Sequence, residues 1–354
     1  MDAFLGMGIS ALLVGDIWLS PELYSKRSAL EESMKLLQFN RQYDLFIGNL
    51  EAPIRGTVKR KDRRAILETD KRLLKSLKLA DMTIMSLANN HLNDYGEEGL
   101  LATIEECRNN GIYTVGAGKN LQDAQEPLIV KIKGVKIAVL AYADTRAYVG
   151  GVAATNNAAG IAPLELTSVV SAIKRVRSDV DMVLLFLHWG EEYVRYPSPE
   201  MRMMARKFIE AGVSLIVGHH PHVLMGYECY KNVDIYYSLG NTIFPNIVLQ
   251  DGAILKWSQR SRKSMVVEVE LDASICKSKQ KLIRLDNIGL PTPEVKENKA
   301  QKKYKRINNI MHSNYYDYIY PCYNLNDKIS MKLLNLLKRK RIIKEIIRLT
   351  CTKR

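Results

Sequence analysis

The sequence predicts an α/β protein built on a mostly parallel, buried sheet. Short apolar runs of strand length alternate with longer amphipathic stretches, which is the pattern of successive β-α-β units. The chain has 354 residues, of which 47% are apolar and 25% are charged, an ordinary globular composition. We therefore expect one large α/β domain plus an appendage.

The elements follow in chain order. The first half predicts strands at 9–14, 45–47 and 82–86 and helices at 29–41, 65–79 and 97–109, the last ending before Gly111. Lys133 and Gly134 predict a hairpin between strands 128–132 and 135–141. The second half predicts strands at 182–187, 214–217, 233–238 and 265–271, and helices at 164–177 and 199–211. The stretch 148–160, rich in Gly, Ala and Asn, predicts a surface loop of the kind that covers a site.

The charge of the chain is concentrated at its carboxyl end. The net charge is +14, and residues 295–354 hold 16 Lys and Arg against 4 Asp and Glu, leaving 36 against 34 elsewhere. We therefore divide the chain into a domain at 1–290 and a basic, Tyr-containing extension at 291–354. One face of a predicted amphipathic helix in the extension carries Ile329, Leu333, Leu336, Ile343 and Ile347. Such a basic helix suits an anionic membrane surface or a partner, and equally suits packing on its own domain.

Cysteine usage and hydropathy predict a cytoplasmic protein, with peripheral contact to the inner membrane face through the basic helix. The five cysteines are odd in number and lack C-x-x-C spacing, which indicates reduced thiols. The apolar stretch near residue 10 has the character of a first strand rather than a signal peptide. No uninterrupted apolar run approaches the roughly 18 residues needed to cross a bilayer.

Polar side chains cluster where the predicted strands stop. They are Asp16, Asn49, Glu51, Asn89, Asn90, His91, His188, Glu191, His219, His220 and His222, and they include every histidine except His312. Each residue alone could be a cap, a turn residue or a hydrogen-bonded core histidine. Because the carboxyl ends of parallel strands face one crevice, we expect five strand ends to converge there.

This donor set predicts a divalent metal site. Imidazole, carboxylate and amide oxygen suit Mn²⁺, Zn²⁺ or Fe²⁺, and no cysteine lies near these positions to indicate a structural zinc knot. About six ligands are enough for one ion or for two ions about 3.5 to 4 Å apart, bridged by a carboxylate. Within the H-x-H of His220 and His222, strand alternation would point both rings to one side. The chain has no G-x-S-x-G, P-loop or G-x-G-x-x-G motif.

The ordered motifs resemble those of the CapA family of capsule and poly-γ-glutamate biosynthesis proteins, within the calcineurin-like metallophosphatase superfamily. They are GD at 15–16, GNLE at 48–51, LANNHLNDYG at 87–96, GAGKN at 116–120, HWGEEY at 188–193, GHHPHVLMGYE at 218–228 and YSLGN at 237–241. The resemblance covers about residues 9–271. It implies a four-layer α/β/β/α sandwich, metallophosphatase-like, with a two-metal site at the strand ends.

The resemblance also implies roles for individual residues. Asp16 would bind the first metal, Glu51 would replace the bridging acid, and Asn90 and His188 would bind the second metal. His220 and His222 would supply the H-x-H ligands, and His91 would be the catalytic acid or contact phosphate. The residues that would support the ligands or contact substrate are Asn49, Asn89, Glu191, His219, Glu228 and Asn241. The chain departs from the wider D-x-H pattern, because Trp18 stands where a ligand histidine is usual and Asn49 where an acid is usual.

Two functional hypotheses follow. The first is a metal-dependent hydrolase that attacks a phosphoester or a γ-glutamyl amide with metal-activated water. The second is a non-catalytic component of capsular polymer synthesis or export that keeps the fold and binds acidic polymer or capsule-synthesis proteins. Nucleic acid is not an expected partner, because the main domain is nearly neutral and has no recognised nucleic-acid motif.

Overall fold

The computed structural model describes residues 8–146, 149–273, 276–293, 297–312, 316 and 320. The strands are β1 Ile9–Ile17, β2 Tyr43–Leu50, β3 Ala80–Ser86, β4 Ile112–Val115, β5 Ala117–Gly118, β6 Leu128–Ile132, β7 Val135–Ala143, β8 Gly160–Ile161, β9 Met182–His188, β10 Leu215–His219, β11 Tyr227–Tyr230, β12 Val233–Tyr236, β13 Asn241–Ile243, β14 Ile247–Val248, β15 Ile254–Leu255, β16 Lys263–Leu271, β17 Cys276–Leu285 and β18 Pro291–Pro293. The α-helices are α1 Arg27–Leu37, α2 Gly96–Asn109, α3 Leu121–Gln125, α4 Leu166–Arg177, α5 Pro199–Ala211 and α6 Glu297–Met311.

Two mixed sheets form the centre of the fold. The larger has the order β18-β17-β16-β1-β2-β3-β4, with β13 also paired to β1, and the smaller has the order β11-β12-β10-β9-β7-β6. Strands β1 to β4 are parallel, as are β12, β10, β9 and β7. The antiparallel strands lie towards the sheet edges, so the parallel strands that carry the polar side chains are central in both sheets.

The two sheets face each other and share one hydrophobic core. Strand β1 contacts β10 and β4 contacts β7 between the sheets. Helix α2 packs on β4, while α4 packs on β9 and on α5. Because the inner faces are occupied by the sheet-to-sheet contact, these helices cover the outer faces. The four-layer α/β/β/α arrangement expected from the sequence is confirmed.

Most predicted elements are present, with one correction. The amphipathic stretch predicted as a helix at 65–79 forms only a short 3-10 helix, Lys71–Leu77, whose N-terminal cap is Asp70. The hairpin is confirmed, since Lys133 and Gly134 both adopt the positive φ that its tight turn requires. The amphipathic helix predicted within 329–347 lies outside the described residues.

The start of the carboxyl-terminal extension packs against both sheets. Helix α6 contacts β17 of the larger sheet, and the side-chain oxygen of Asn308 accepts a hydrogen bond from the backbone N–H of Tyr227 on edge strand β11, at 2.9 Å. Further on, the buried hydroxyl of Tyr316 donates to the carbonyl oxygen of Pro197 at 2.6 Å. Among the described residues, no helix is long and apolar enough to cross a membrane.

We expect Asn308→Ala to lower the free energy of unfolding by about 1 to 2 kcal/mol, because the N–H of Tyr227 loses its acceptor. Its matched control is Asn309→Ala, which removes an exposed amide one residue along the same helix. Both changes raise helix propensity equally, so the difference between them isolates the hydrogen bond. Urea unfolding measures it, and equal stabilities of the two variants would contradict the assigned role of α6.

Candidate metal centre

Asp16 lies at the carboxyl end of β1, in the larger sheet. In register, Asp16 lies beside Asn49 of β2 on one side and Asn241 of β13 on the other. A Cβ on Gly15 would lie 1.8 Å from the carbonyl oxygen of Gly240, so only glycine lets β13 approach this closely. The fully buried Asp16 carboxylate accepts a hydrogen bond from the Asn49 amide at 2.8 Å. The sheet backbone thus fixes the carboxylate.

The smaller sheet brings three imidazoles to the same crevice. His188 ends β9, and His220 and His222 follow β10 in a bend, with φ of 95° and 53°. Both rings reach this crevice, but they lie beyond the end of β10, so the left-handed backbone of the bend orients them rather than strand alternation. The His220 centroid lies 4.7 Å from that of His188 and 6.2 Å from that of His222. Non-glycine residues in this backbone region are uncommon and carry strain, and functional sites are one place where such strain clusters.

Glu51 lies between these imidazoles and belongs to two groups of potential ligands. Its Oε1 is 3.4 Å from Nε2 of His222 and 3.8 Å from Nε2 of His188. One group joins Glu51 to His188 and His220, the other joins it to Asp16 and His222, and the ligand atoms within each group lie within 4.8 Å of one another. Glu51 is therefore placed to bridge two cation positions.

Burial shifts the proton equilibria of these groups. The pKa of Glu51 is raised well above its usual range, first by desolvation and then by the negative charge of Asp16. The pKa values of His188 and His220 are lowered well below their usual range, first by desolvation and then by neighbouring imidazoles. Without a cation the site therefore favours a protonated acid and neutral rings.

The donor set fits a divalent cation. Neither carboxylate oxygen of Glu51 has a hydrogen-bond partner among the described residues, although the side chain is fully buried. Nδ1 of His220 is likewise buried without a partner. Orphaned buried polar atoms are rare in folded proteins and carry a free-energy cost, which a bound cation would remove. Neutral imidazoles and carboxylates are the ligands that such cations use.

Four asparagines in or just after strands of the larger sheet lie around the candidate ligands. The Asn90 side-chain oxygen lies 3.0 Å from Nε2 of His188, so Asn90 adjoins the group of Glu51, His188 and His220. The Asn49 amide lies 3.4 Å from Nδ1 of the same ring, and Asn89 donates to Asn49 at 3.3 Å. On the other side, Asn241 places its side-chain oxygen 2.8 Å from Nδ1 of His222. These contacts fix the orientation of the rings.

His91 forms a pair with an acid that sequence reasoning missed. Its Nδ1 lies 2.7 Å from the Asp94 carboxylate, which is fully buried, and Arg63 contacts the same carboxylate at 3.3 Å. Asp94 lies within the motif at 87–96, and its spacing of three residues from His91 was an available signal. Nothing in the sequence pattern indicated Arg63, which reaches the site from a loop between elements.

The remaining predicted residues lie around the cluster or apart from it. Nε2 of buried His219 lies 3.2 Å from the carbonyl oxygen of Val14, which joins β10 to β1 rather than adding a metal ligand. The Glu228 carboxylate accepts hydrogen bonds from Arg202, Arg206 and the Tyr237 hydroxyl. Neither His219 nor Glu228 belongs to either ligand group. Glu191 is exposed in the loop after β9.

Trp18 does not act as a ligand. Its indole N–H donates to the carbonyl oxygen of Glu68 at 2.8 Å, and its ring packs 5.6 Å from that of Phe244. Phe244 and Trp257 in turn pack on the His222 ring, with centroids 4.9 and 5.2 Å away. Trp18 therefore belongs to a second, smaller hydrophobic cluster that supports His222 from behind.

Facing sheets with carboxylates and imidazoles gathered at their strand ends define a metallophosphatase-like class of protein. The family model of the bacterial capsule synthesis protein PGA_cap matches residues 10–246. The chain belongs to this family.

Two curated relatives match over much of the chain. It is 30% identical over 274 residues to the capsule biosynthesis protein CapA of Bacillus anthracis, which covers 74% of this chain and 66% of the relative. It is 35% identical over 242 residues to the PGA biosynthesis protein CapA of Bacillus subtilis, which covers 67% of this chain and 63% of the relative. The chain thus spans less than two thirds of the length of either relative. Among solved structures, the calcineurin-like phosphoesterase YfkN from Bacillus subtilis aligns with 14% identity and a TM-score of 0.43, covering 86% of this chain and 99% of that one.

In the presence of a chelator, we expect Glu51→Gln to become increasingly more stable than the unmutated chain as the pH rises. The measured quantity is the free energy of unfolding of the variant minus that of the unmutated chain. The pKa of Glu51 is higher in the folded chain than in the unfolded chain, so proton binding by Glu51 stabilises the fold. This stabilisation is fully present below the unfolded pKa of about 4.5 and is lost as the pH rises towards the folded pKa. Glutamine cannot ionise, so the variant gains relative stability across that window. The buried histidines are present in both proteins, so the difference reports mainly on the ionisation of residue 51 and its effect on its neighbours.

Urea unfolding at a series of pH values from about 5 to 8 measures this difference. Adding Mn²⁺ should reverse its sign, because the cation stabilises the ionised carboxylate of the unmutated chain. A difference that stays constant over the whole range and does not respond to Mn²⁺ would contradict the assignment of Glu51.

Proposed function

We propose that this chain is a divalent-metal-dependent hydrolase of capsule or poly-γ-glutamate biosynthesis. Its substrate bond would be a phosphoester or a γ-glutamyl amide. The observation that carries the proposal is the buried Glu51, shared between two ligand groups and left without hydrogen-bond partners. The names of the curated relatives support the pathway, and the chemistry of the site supports the reaction class.

Asp16, Glu51 and His222 would hold one cation, and Glu51, His188, His220 and Asn90 a second, with Mn²⁺, Zn²⁺ or Fe²⁺ as the candidates. A bound cation of this kind activates water and stabilises developing negative charge. The asparagines keep the rings in the orientation that ligation needs. Packing of Phe244 and Trp257 on His222 excludes water from that side of the site.

His91 is suited to hold or move a proton at its Nε2. An ionised Asp94 can only accept a hydrogen bond, so Nδ1 of His91 carries the proton between them. That pairing fixes the orientation of the ring, so Nε2 is the ring atom that can exchange a proton with a leaving group, as a general acid requires. We propose that His91 protonates the leaving atom of the substrate.

One observation favours a second candidate, a non-catalytic component of polymer synthesis or export. Trp18 replaces the usual ligand histidine with a packing residue, which leaves the first cation position with three ligands from the groups described. A protein that only binds acidic polymer or other capsule-synthesis proteins would tolerate this loss. A measurement of substrate turnover distinguishes the two candidates.

We also propose a cytoplasmic location. Cys107, Cys229 and Cys276 are free thiols, as in a reducing compartment. Peripheral contact with the inner membrane face, through the helix that the sequence predicts within 329–347, stays a prediction.

We expect His188→Ala and His222→Ala each to lower hydrolysis by at least about a hundredfold, because ligand loss removes the activated water. A panel of phosphodiesters and γ-glutamyl peptides, assayed with added Mn²⁺, provides the measurement. His312→Ala, which changes an exposed histidine of the carboxyl-terminal extension, is the control and should keep full activity.

The same preparations are analysed for bound metal. Metal bound by the unmutated chain with no turnover of any substrate, together with normal polymer production in cells that carry both substitutions, would favour the non-catalytic candidate.

A further inference from the structure

We propose that the loop 59–64, with the sequence KRKDRR, is a cationic rim that binds a polycarboxylate chain beside the candidate metal centre. This inference rests on the proposed function of the site, since it assigns the class of substrate that the site receives. None of the motifs that identify the family includes this loop.

Hydrogen bonds hold the rim directly against His91 and its partner. The backbone N–H of Arg60 donates to the carbonyl oxygen of Asp94 at 2.9 Å. The Arg63 guanidinium donates to the carbonyl oxygen of Asn90 at 2.8 Å and lies 3.5 Å from Nδ1 of His91. The rim therefore adjoins the residue proposed as the acid.

Arg63 also fastens the rim to the loop on its other side. Its guanidinium donates to the carbonyl oxygens of Val149 and Gly150 at 3.1 and 2.8 Å. Gln250 supports the rim from a third segment, because its side chain donates to the carbonyl oxygen of Arg63 at 2.6 Å and its backbone to that of Arg64 at 3.0 Å. The rim is thus a fixed part of the site.

Three cations of the rim are available to a ligand. Lys59, Lys61 and Arg64 are exposed, and the two lysines form no ion pair among the described residues. Arg64 approaches Asp251 only at 3.7 Å, with both side chains more than half exposed, which contributes little. The one acid of the rim, Asp62, is already paired with Arg60. The surface therefore carries uncompensated positive charge.

His91, which lies next to the rim, is the site histidine with the most solvent exposure. His91 has 7% of its surface exposed, whereas the residues of the two ligand groups have at most 4%. A polymer whose bond is cleaved at the centre would approach beside His91. Its neighbouring repeats would then lie on the rim.

The chemistry of the rim favours carboxylates over nucleic acid. Lysine and arginine bind anions of either kind, but nonspecific single-strand binding also uses aromatic side chains on which bases stack. Residues 55–64, RGTVKRKDRR, contain none. A chain with one carboxylate per repeat can instead engage several exposed cations at once.

The test is binding of fluorescein-labelled oligo-γ-glutamate to the full chain, followed by fluorescence anisotropy. We expect Lys59→Gln/Lys61→Gln/Arg64→Gln to bind about tenfold more weakly at low salt, since each exposed ion pair contributes roughly twofold. The salt dependence of binding should also fall, because fewer charges take part.

The matched control is Lys131→Gln/Lys277→Gln/Lys279→Gln, which removes the same charge from exposed lysines of β6 and β17. In register these lie towards the ends of the sheets opposite Asp16 and His188. We expect less than about a twofold change, because screening weakens charges that lie far from the ligand. Lys59→Glu serves as a second, single-site variant and should weaken binding more than Lys277→Glu.

Equal losses in the rim and control variants, or no binding by the unmutated chain, would overturn the proposal. Tighter binding of an oligothymidylate than of oligo-γ-glutamate would assign the rim to nucleic acid and overturn it as well. The assay needs no turnover, so rim-dependent binding without hydrolysis refutes the proposed hydrolase alone. Hydrolysis that is insensitive to the rim variants refutes the rim alone.

Discussion

The structure depends on one unfavourable arrangement, the complete burial of the Glu51 carboxylate without a hydrogen-bond partner among the described residues. An ionised carboxylate in such a place costs several kcal/mol unless a proton or a cation compensates it. The protein nevertheless surrounds it with three imidazoles, and burial suppresses the protonation of two of them, His188 and His220. This combination makes sense when divalent cations supply the positive charge.

The rest of the fold keeps that arrangement rigid. The close approach of Gly15 to Gly240 sets Asn241 beside Asp16, and the contact of His219 with Val14 joins the two sheets next to the site. The aromatic cluster that includes Trp18 then packs behind His222. Each contact joins segments far apart in the chain, so the ligands are held by the core of the protein rather than by mobile loops.

The sequence predicted those features that depend on local pattern. Apolar runs located most central strands, and the polar residues that follow them located the candidate ligands, because a parallel strand brings its carboxyl end to one edge of the sheet. Features that depend on long-range packing were not predictable. The 65–79 stretch has helical periodicity, but only Lys71–Leu77 is helical, as a short 3-10 helix. Arg63 joins the site only because its loop folds back over Asn90. Strand β17 was not predicted, because its alternating lysines are also typical of a solvated surface segment. Its strand conformation depends on pairing with β16.

The central claim is that divalent cations occupy the two ligand groups that share Glu51. Crystals grown with Mn²⁺ and measured for anomalous scattering test it most directly. The account predicts anomalous density among Glu51, His188 and His220 and among Asp16, Glu51 and His222. A well-ordered crystal with the same side-chain arrangement but no anomalous peak at either position would contradict it.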